Sequence, residues 1–144
     1  MKIHKSLTIL APVETIFAYL DDPTHLPLIW DNLKAVTDVE ALPNGGKKFR
    51  WTYHMLGQDF EGESTTTVYE PNQMITGVSE EAIRSSFTWR FEPITVNSTD
   101  VALEIDYDVP LPIIGKIVEA VLVSSNQDEA EKILAQLKAQ VETV

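Results

Sequence analysis

The feature that most constrains the fold is the alternation of apolar and polar residues through the middle of the chain, over residues 33–107. Apolar residues at every second position indicate strands with one buried face. Turn signals at residues 43–46 and at Gly57 separate these segments, as expected for antiparallel strands joined by short connections. We therefore expect six strands here, over residues 33–42, 49–55, 60–69, 74–80, 83–91 and 101–107.

The first thirty residues change their hydrophobic period twice. Residues 2–10 alternate and predict a first strand. After Pro12, which suits the first turn of a helix, apolar residues recur at helical spacing and predict a short helix. They are Val13, Ile16, Phe17 and Leu20. A second short helix is expected over residues 24–30.

The last thirty residues predict one long helix. Pro110 and Pro112 stop the final strand, and an apolar stripe then runs from Ile114 to Val141 with Glu and Lys on the other side. Such a helix spans roughly 40 Å, enough to cross a whole sheet. A sheet with one apolar face must be covered, and only this helix is long enough. The expected class is α+β, with a single domain over residues 1–144.

Composition and charge exclude several classes of function. The chain has 22 acidic and 11 basic residues, and its net charge of −11 disfavours nucleic acid and anionic lipid surfaces as partners. No Cys is present, which excludes disulfides, thiolate metal sites and Cys nucleophiles. The longest apolar tract, residues 113–123, is too short for a membrane span. With no signal core at the start, we expect a cytoplasmic protein; the sequence leaves protein partners open.

The apolar face of the predicted sheet mixes aromatic with small and polar residues. If Met55 lies opposite Phe60 in the hairpin at Gly57, two large aromatic residues face small ones and leave space (Tyr53–Gly62 and Trp51–Ser64). The same face carries Ser85, Phe87, Trp89 and Tyr107. Two interpretations stay open: a mostly apolar pocket with a few polar contacts, or a filled core whose Trp and Tyr tips reach water at the rim.

A polar pair interrupts the apolar stripe of the long helix. Asn126 lies on the stripe of Leu122 and Ala130, and Ser125 is next to it. These side chains either line a cavity and bind a ligand or are partly exposed and satisfied by backbone or water.

The residue pattern reveals no reaction centre. His54 falls opposite Glu61 in the same hairpin register, as expected for a surface charge pair rather than a catalytic dyad. The carboxylates of Glu104, Asp106 and Asp108 are spaced roughly 6.6 Å apart on one strand face, too far for a single ion to be clasped. No phosphate loop, nucleophile elbow or zinc motif occurs. We therefore predict no catalytic residue, no metal and no cofactor.

Several local strings, taken in order, resemble the START-like (SRPBCC) superfamily, in particular its polyketide cyclase/dehydrase-like members. The resemblance covers essentially the whole chain. The strings that carry it are APVETIFAYLDDP at residues 11–23, LPLIW at 26–30, FRW at 49–51, GQDFEG at 57–62, EP at 70–71, DY at 106–107, PLP at 110–112 and GK at 115–116.

The resemblance implies the helix-grip fold. In this fold a seven-stranded antiparallel sheet curls around a long C-terminal helix, with an apolar cavity between them and two short helices between strands 1 and 2. Members include polyketide cyclases, ring-hydroxylase subunits and binders of lipids, sterols, hormones and quinones, so the superfamily predicts architecture better than activity. The chain carries no Rieske motif.

We expect binding or transport of a small hydrophobic ligand of the lipid, sterol, quinone or aromatic polyketide class. The expected ligand-binding residues are Trp30, Trp51, Tyr53, Met55, Phe60, Ser64, Ser85, Phe87, Trp89, Tyr107 and Asn126. The alternative is a polyketide cyclase/dehydratase-like enzyme in the same cavity, with Tyr53 or Tyr107 assisting proton transfer. An inward titratable pair would favour the enzyme, and an all-neutral lining the binder. A third possibility is an interaction protein that acts through its acidic outer face.

Overall fold

The computed structural model describes residues 2–55, 57–81, 84–108 and 116–142, with the side chains of residue 55 and residues 116–126 outside that description. These residues form the predicted succession of one strand, two short helices, six strands and a long helix. The elements are β1 (Lys2–Ile9), α1 (Val13–Leu20), α2 (Leu26–Ile29), β2 (Leu33–Ala41), β3 (Lys47–Met55), β4 (Gln58–Glu70), β5 (Met74–Ser79), β6 (Arg84–Thr95), β7 (Ser98–Asp108) and α3 (Lys116–Glu142).

The seven strands of the described chain form one antiparallel sheet in the order β1-β7-β6-β5-β4-β3-β2. Each strand from β2 to β7 pairs with its neighbour in sequence, and β1 pairs with β7 at the other edge of the sheet. The sheet curls around α3, which contacts β1, β7 and α2. The predicted α+β class and helix-grip architecture are therefore confirmed.

The two short helices contribute buried apolar side chains to the core. In α1 the four residues at helical spacing are all buried, as predicted. The second predicted helix divides into a 3₁₀ turn, Pro23–His25, and the single turn of α2. Asp22 begins that turn by accepting the Thr24 backbone N–H at 3.0 Å.

The C-terminal half of α3 supplies the helical side of the core. Its buried residues follow the predicted stripe: Ala130, Ile133, Leu134, Leu137 and Val141. The prolines proposed to stop the last strand lie outside the described residues, as do the side chains of the stripe before residue 127. No helix in the described ranges is long and apolar enough to cross a membrane.

The predicted register of the β3–β4 hairpin is wrong by two residues. Met55 pairs with Gln58, so Tyr53 faces Phe60 and Trp51 faces Gly62. The connection is two residues shorter than assumed, and Gly57 adopts the left-handed φ of +73° that a tight turn favours. Because a shift of two keeps every side chain on its face, the predicted inner face is still correct.

The same shift changes the partner of His54. His54 pairs with Asp59 rather than Glu61, at 2.8 Å between Nδ1 and Oδ1, on the exposed face. His54 is therefore part of an exposed hydrogen-bonded pair, with Asp59 in place of the predicted Glu61.

The outer edge strand β2 is irregular. Its pairing with β3 slips between Leu33 and Ala35 and again between Thr37 and Glu40. Asp38, inside the second slip, has a left-handed φ of +54°. Such bulges twist a strand and interrupt its ladder of hydrogen bonds.

Candidate ligand-binding cavity

A cavity of about 90 Å³ lies between the inner face of the sheet, the α2 region and α3. Most of its wall is apolar or aromatic. The described residues that line it are Leu26, Trp30, Leu33, Phe49, Trp51, Tyr53, Ser85, Phe87, Ile105, Tyr107 and Glu129. Six residues of the predicted set are therefore at this cavity: Trp30, Trp51, Tyr53, Ser85, Phe87 and Tyr107.

Three aromatic rings form one wall in fixed edge-to-face contacts. The Trp30 ring lies 6.3 Å from Tyr53 and 5.9 Å from Phe87, with interplanar angles of 73° and 82°. This geometry places the electropositive ring edge against the electronegative ring face and stabilises each pair. The wall is therefore preformed rather than assembled from free side chains.

The Trp51 indole is held in place by close contact with the backbone of Gly62 and by one hydrogen bond. The indole crosses Gly62, where a Cβ atom would come within 2.4 Å of Cζ2. Its Nε1 donates to the buried Ser79 hydroxyl at 3.2 Å. The sequence predicted the pair Trp51–Ser64. At the observed pair, Trp51–Gly62, the indole itself occupies the space beside the small residue.

A cluster of hydrogen bonds converges on Glu129 at the α3 side of the cavity. Glu129 Oε1 accepts from Trp30 Nε1 at 2.7 Å and from Asn32 Nδ2 at 3.1 Å. The Tyr53 hydroxyl lies 2.8 Å from Oε1 and 2.7 Å from Oε2. This one carboxylate therefore connects α3 to β3 and to the chain after α2.

Tyr53 is held in its protonated form. Burial first, then the negative charge of Glu129 and the hydrogen bond to it, raise the pKa of the Tyr53 hydroxyl far above its usual range. The phenol therefore remains a hydrogen-bond donor at any physiological pH. Tyr53 and Glu129 are an inward titratable pair within hydrogen-bond reach, the observation expected to favour an enzyme.

Glu129 also faces a groove at the surface. The groove, of about 220 Å³, is lined by Ile29, Asp31, Asn32, Asp128, Glu129, Lys132, Ile133 and Gln136. Since Glu129 lines both spaces, it stands where the apolar cavity meets solvent.

Three other predicted ligand-binding residues, Ser64, Trp89 and Phe60, do not line this cavity. Ser64 and Trp89 are deeply buried and line a smaller cavity of about 30 Å³, which shares Leu26, Phe49 and Phe87 with the first. The Ser64 hydroxyl has no hydrogen-bond partner among the described residues. Phe60 is half-buried next to the core and lines neither cavity. The side chains of Met55 and Asn126 lie outside the described residues.

Glu129 is the polar residue of the cavity that the sequence did not single out. Its charge placed it with the Glu and Lys residues of the solvent side of α3. However, it lies four residues after Ser125 and three after Asn126, so it shares the face of the polar pair. This helical spacing is the sequence feature that could have identified Glu129 as a cavity residue. Leu26, Leu33, Phe49 and Ile105 were expected only as general core.

The described side chains show no arrangement typical of a metal site. No group of three or more His, Asp or Glu among them is arranged to hold an ion. The described side chains of the site offer an apolar space, the Glu129 carboxylate and the hydroxyl groups of Tyr53, Tyr107 and Ser85.

The chain belongs to the family described as polyketide cyclase / dehydrase and lipid transport, whose model matches residues 1–142. Among curated proteins, none matches the sequence significantly. The family assignment confirms the resemblance to START-like proteins that the sequence strings carry.

Solved structures share the fold over the whole chain at low identity. A protein of Thermus thermophilus is 20% identical with a TM-score of 0.85, covering 99% of this chain and 98% of its own. A START superfamily protein from Mycobacterium smegmatis is 18% identical with a TM-score of 0.79, covering 99% and 97%. The Zhui aromatase/cyclase from Streptomyces sp. R1128 is 15% identical with a TM-score of 0.83, covering 99% and 93%. At these identities the likeness concerns the fold.

Proposed function

We propose that this protein binds a small hydrophobic molecule in the cavity between the sheet and α3. The observation that carries the proposal is the preformed aromatic wall of Trp30, Tyr53 and Phe87 around a space left open in the core. A core selected only for packing is filled to crystal-like density. An open apolar space with one polar end is instead typical of a ligand site.

The cavity volume limits which part of a ligand is enclosed. Sites that enclose a drug-sized molecule measure about 300–1,000 Å³, whereas this cavity measures about 90 Å³. A single ring or a short alkyl chain fits inside, and the rest of a larger lipid, quinone or polyketide would extend past Glu129 into the surface groove. Each buried methylene contributes about 0.8 kcal/mol. After association costs, dissociation constants of about 10 μM to 1 mM are expected for short chains.

Filling the cavity should weaken ligand binding strongly. Ser85→Leu places an isobutyl group in the space, and we expect the dissociation constant for a bound ligand to rise at least tenfold. The measurement is quenching or shift of the tryptophan fluorescence, to which Trp30 and Trp51 contribute from the cavity wall. The titrants are alkanols of six to twelve carbons, quinones, sterols and aromatic polyketides. Absence of any response from the whole panel in the unmodified protein would contradict the proposed function.

A matched control lies one residue along the same strand. Ser86 points to the opposite face of the sheet, since side chains alternate along a strand. Ser86→Leu adds the same group outside the cavity and should change the dissociation constant less than twofold. Equal effects of the two substitutions would show that the ligand binds elsewhere.

A second candidate function, proton transfer on a bound carbonyl compound, is favoured by the Tyr53–Glu129 pair. The Glu129 carboxylate would remove a proton from the carbon next to a carbonyl group, and the Tyr53 hydroxyl would donate to the oxygen of the resulting enolate. A positioned general base contributes about 10²–10⁴-fold to the rate.

Hydrogen–deuterium exchange at the central carbon of an apolar β-diketone, followed by NMR in D₂O, tests this second function. We expect at least 100-fold faster exchange with the unmodified protein than with Glu129→Gln, and a smaller loss with Tyr53→Phe. Asp128→Asn removes a neighbouring carboxylate outside the cavity and should leave the rate unchanged. Exchange no faster than in buffer would leave ligand binding as the only function of the site.

A further inference from the structure

We propose that the ligand of this cavity carries a cationic hydrogen-bond donor, such as a primary amine, which binds Glu129 while its apolar part enters the cavity. This inference rests on the proposed function and specifies its ligand class. It makes Glu129 the residue that determines specificity.

The first support is that Glu129 has no ion-pair partner among the described residues. Among the described residues, all three groups that hydrogen-bond to this carboxylate are neutral: an indole, an amide and a phenol. The nearest lysine in sequence, Lys132, makes its ion pair with Asp31 instead. A carboxylate at the end of an apolar cavity is stabilised most by a positive partner, because the low local dielectric strengthens their attraction.

The second support is unused acceptor capacity on Oε2. Trp30 and Asn32 both donate to Oε1, and the single proton of the Tyr53 hydroxyl is shared between the two oxygens. An ionised carboxylate has about four acceptor positions. At least one position therefore remains for a ligand donor, and since the carboxylate accepts only, a ligand carboxylate has no partner there.

The third support is the negative charge of the surface groove through which a ligand would reach Glu129. Among the described residues, the surface groove next to the cavity carries the carboxylates of Asp31, Asp128 and Glu129 and a single ammonium group, that of Lys132. The whole chain has a net charge of −11. A negative potential of this kind raises the local concentration of cations and repels anions such as fatty acids.

Three ligands with the same alkyl chain test the inference: octylamine, octanol and octanoate, titrated at pH 7 and low salt by calorimetry. We expect octylamine to bind at least tenfold more tightly than octanol, and octanoate to bind most weakly. Glu129→Gln keeps the side-chain shape and removes the charge. It should weaken octylamine binding at least tenfold and change octanol binding less than twofold.

The control is Glu131→Gln on the same helix. Glu131 is exposed and lines neither the cavity nor the groove. This substitution removes one negative charge outside both spaces, so octylamine binding should change less than twofold.

The outcomes separate this inference from the proposed function. Octanol that binds as tightly as octylamine to the unmodified protein would overturn the inference and leave the cavity as a ligand site. An equal loss of octylamine binding in Glu129→Gln and Glu131→Gln would also overturn it, because general electrostatics would then explain the preference. Failure of all three ligands to bind would overturn both proposals. The ligand ranking of the unmodified protein keeps the test valid even if Glu129→Gln does not fold.

Discussion

Trp89→Ala should lower the free energy of unfolding by about 3–5 kcal/mol, the usual cost of removing a fully buried aromatic side chain. Trp89 is 2% exposed and lies in the middle of the sheet, where β6 places it opposite Ile75 of β5 and Leu103 of β7. Its removal would enlarge the neighbouring cavity of about 30 Å³. Few atoms can move in to fill the new space, since these neighbouring strands are fixed by their hydrogen bonds.

Equilibrium unfolding in urea, analysed by linear extrapolation, measures the effect. Trp89→Phe retains most of the buried ring surface and should cost less than half as much. A loss below about 1 kcal/mol for Trp89→Ala would contradict the packing described for this residue, because core truncations of this size cost several times more.

Gly62→Ala should reduce both stability and ligand binding, although it adds one methyl group. The new Cβ atom would lie 2.4 Å from Cζ2 of Trp51, so the indole must move, and such overpacking costs about 1–3 kcal/mol. Because Trp51 lines the cavity, its displacement should also weaken ligand binding at least tenfold. The φ of Gly62 is not left-handed, so the cost comes from this contact and not from backbone strain.

A double-mutant cycle with Trp51→Phe identifies the contact as the cause. The smaller ring lacks the atoms that clash, so Gly62→Ala should cost at least about 1 kcal/mol less in that background. Alanine also restricts the unfolded chain and stabilises by about 0.4–1 kcal/mol where its backbone is tolerated. Gly62→Ala should therefore become nearly neutral once Trp51→Phe is in place. Additive effects of the two substitutions would contradict this account.

The sequence predicted the elements and their faces well, because both follow from simple periods. Alternation placed Trp51, Tyr53 and Phe87 on the inner face, and helical spacing identified the buried half of α3. The turn at Gly57 was less informative, since a glycine indicates a turn but does not determine how many residues it contains. An error of two residues changed the partner of Trp51 from Ser64 to Gly62 while leaving its face unchanged.

The candidate site was predicted less completely, for two physical reasons. Alternation gives the face of a sheet but not the position across it, so Trp89 and Ser64 were assigned to a cavity that they do not line. In addition, Glu129 looked like one of many solvated carboxylates on an acidic helix. Its neutral donors come from β3 and from the chain around α2, more than seventy residues away in sequence. Such long-range contacts leave no local signature.

The irregular strand β2 has a consequence for how molecules of this protein meet in concentrated solution. An unpaired strand edge is a template on which a foreign strand can add and start a fibril. In β2 the two slips and the left-handed Asp38 break that template into short pieces. A strand of another molecule would meet no continuous row of backbone hydrogen-bond donors and acceptors along β2. This edge of the sheet is therefore protected against amyloid-like growth.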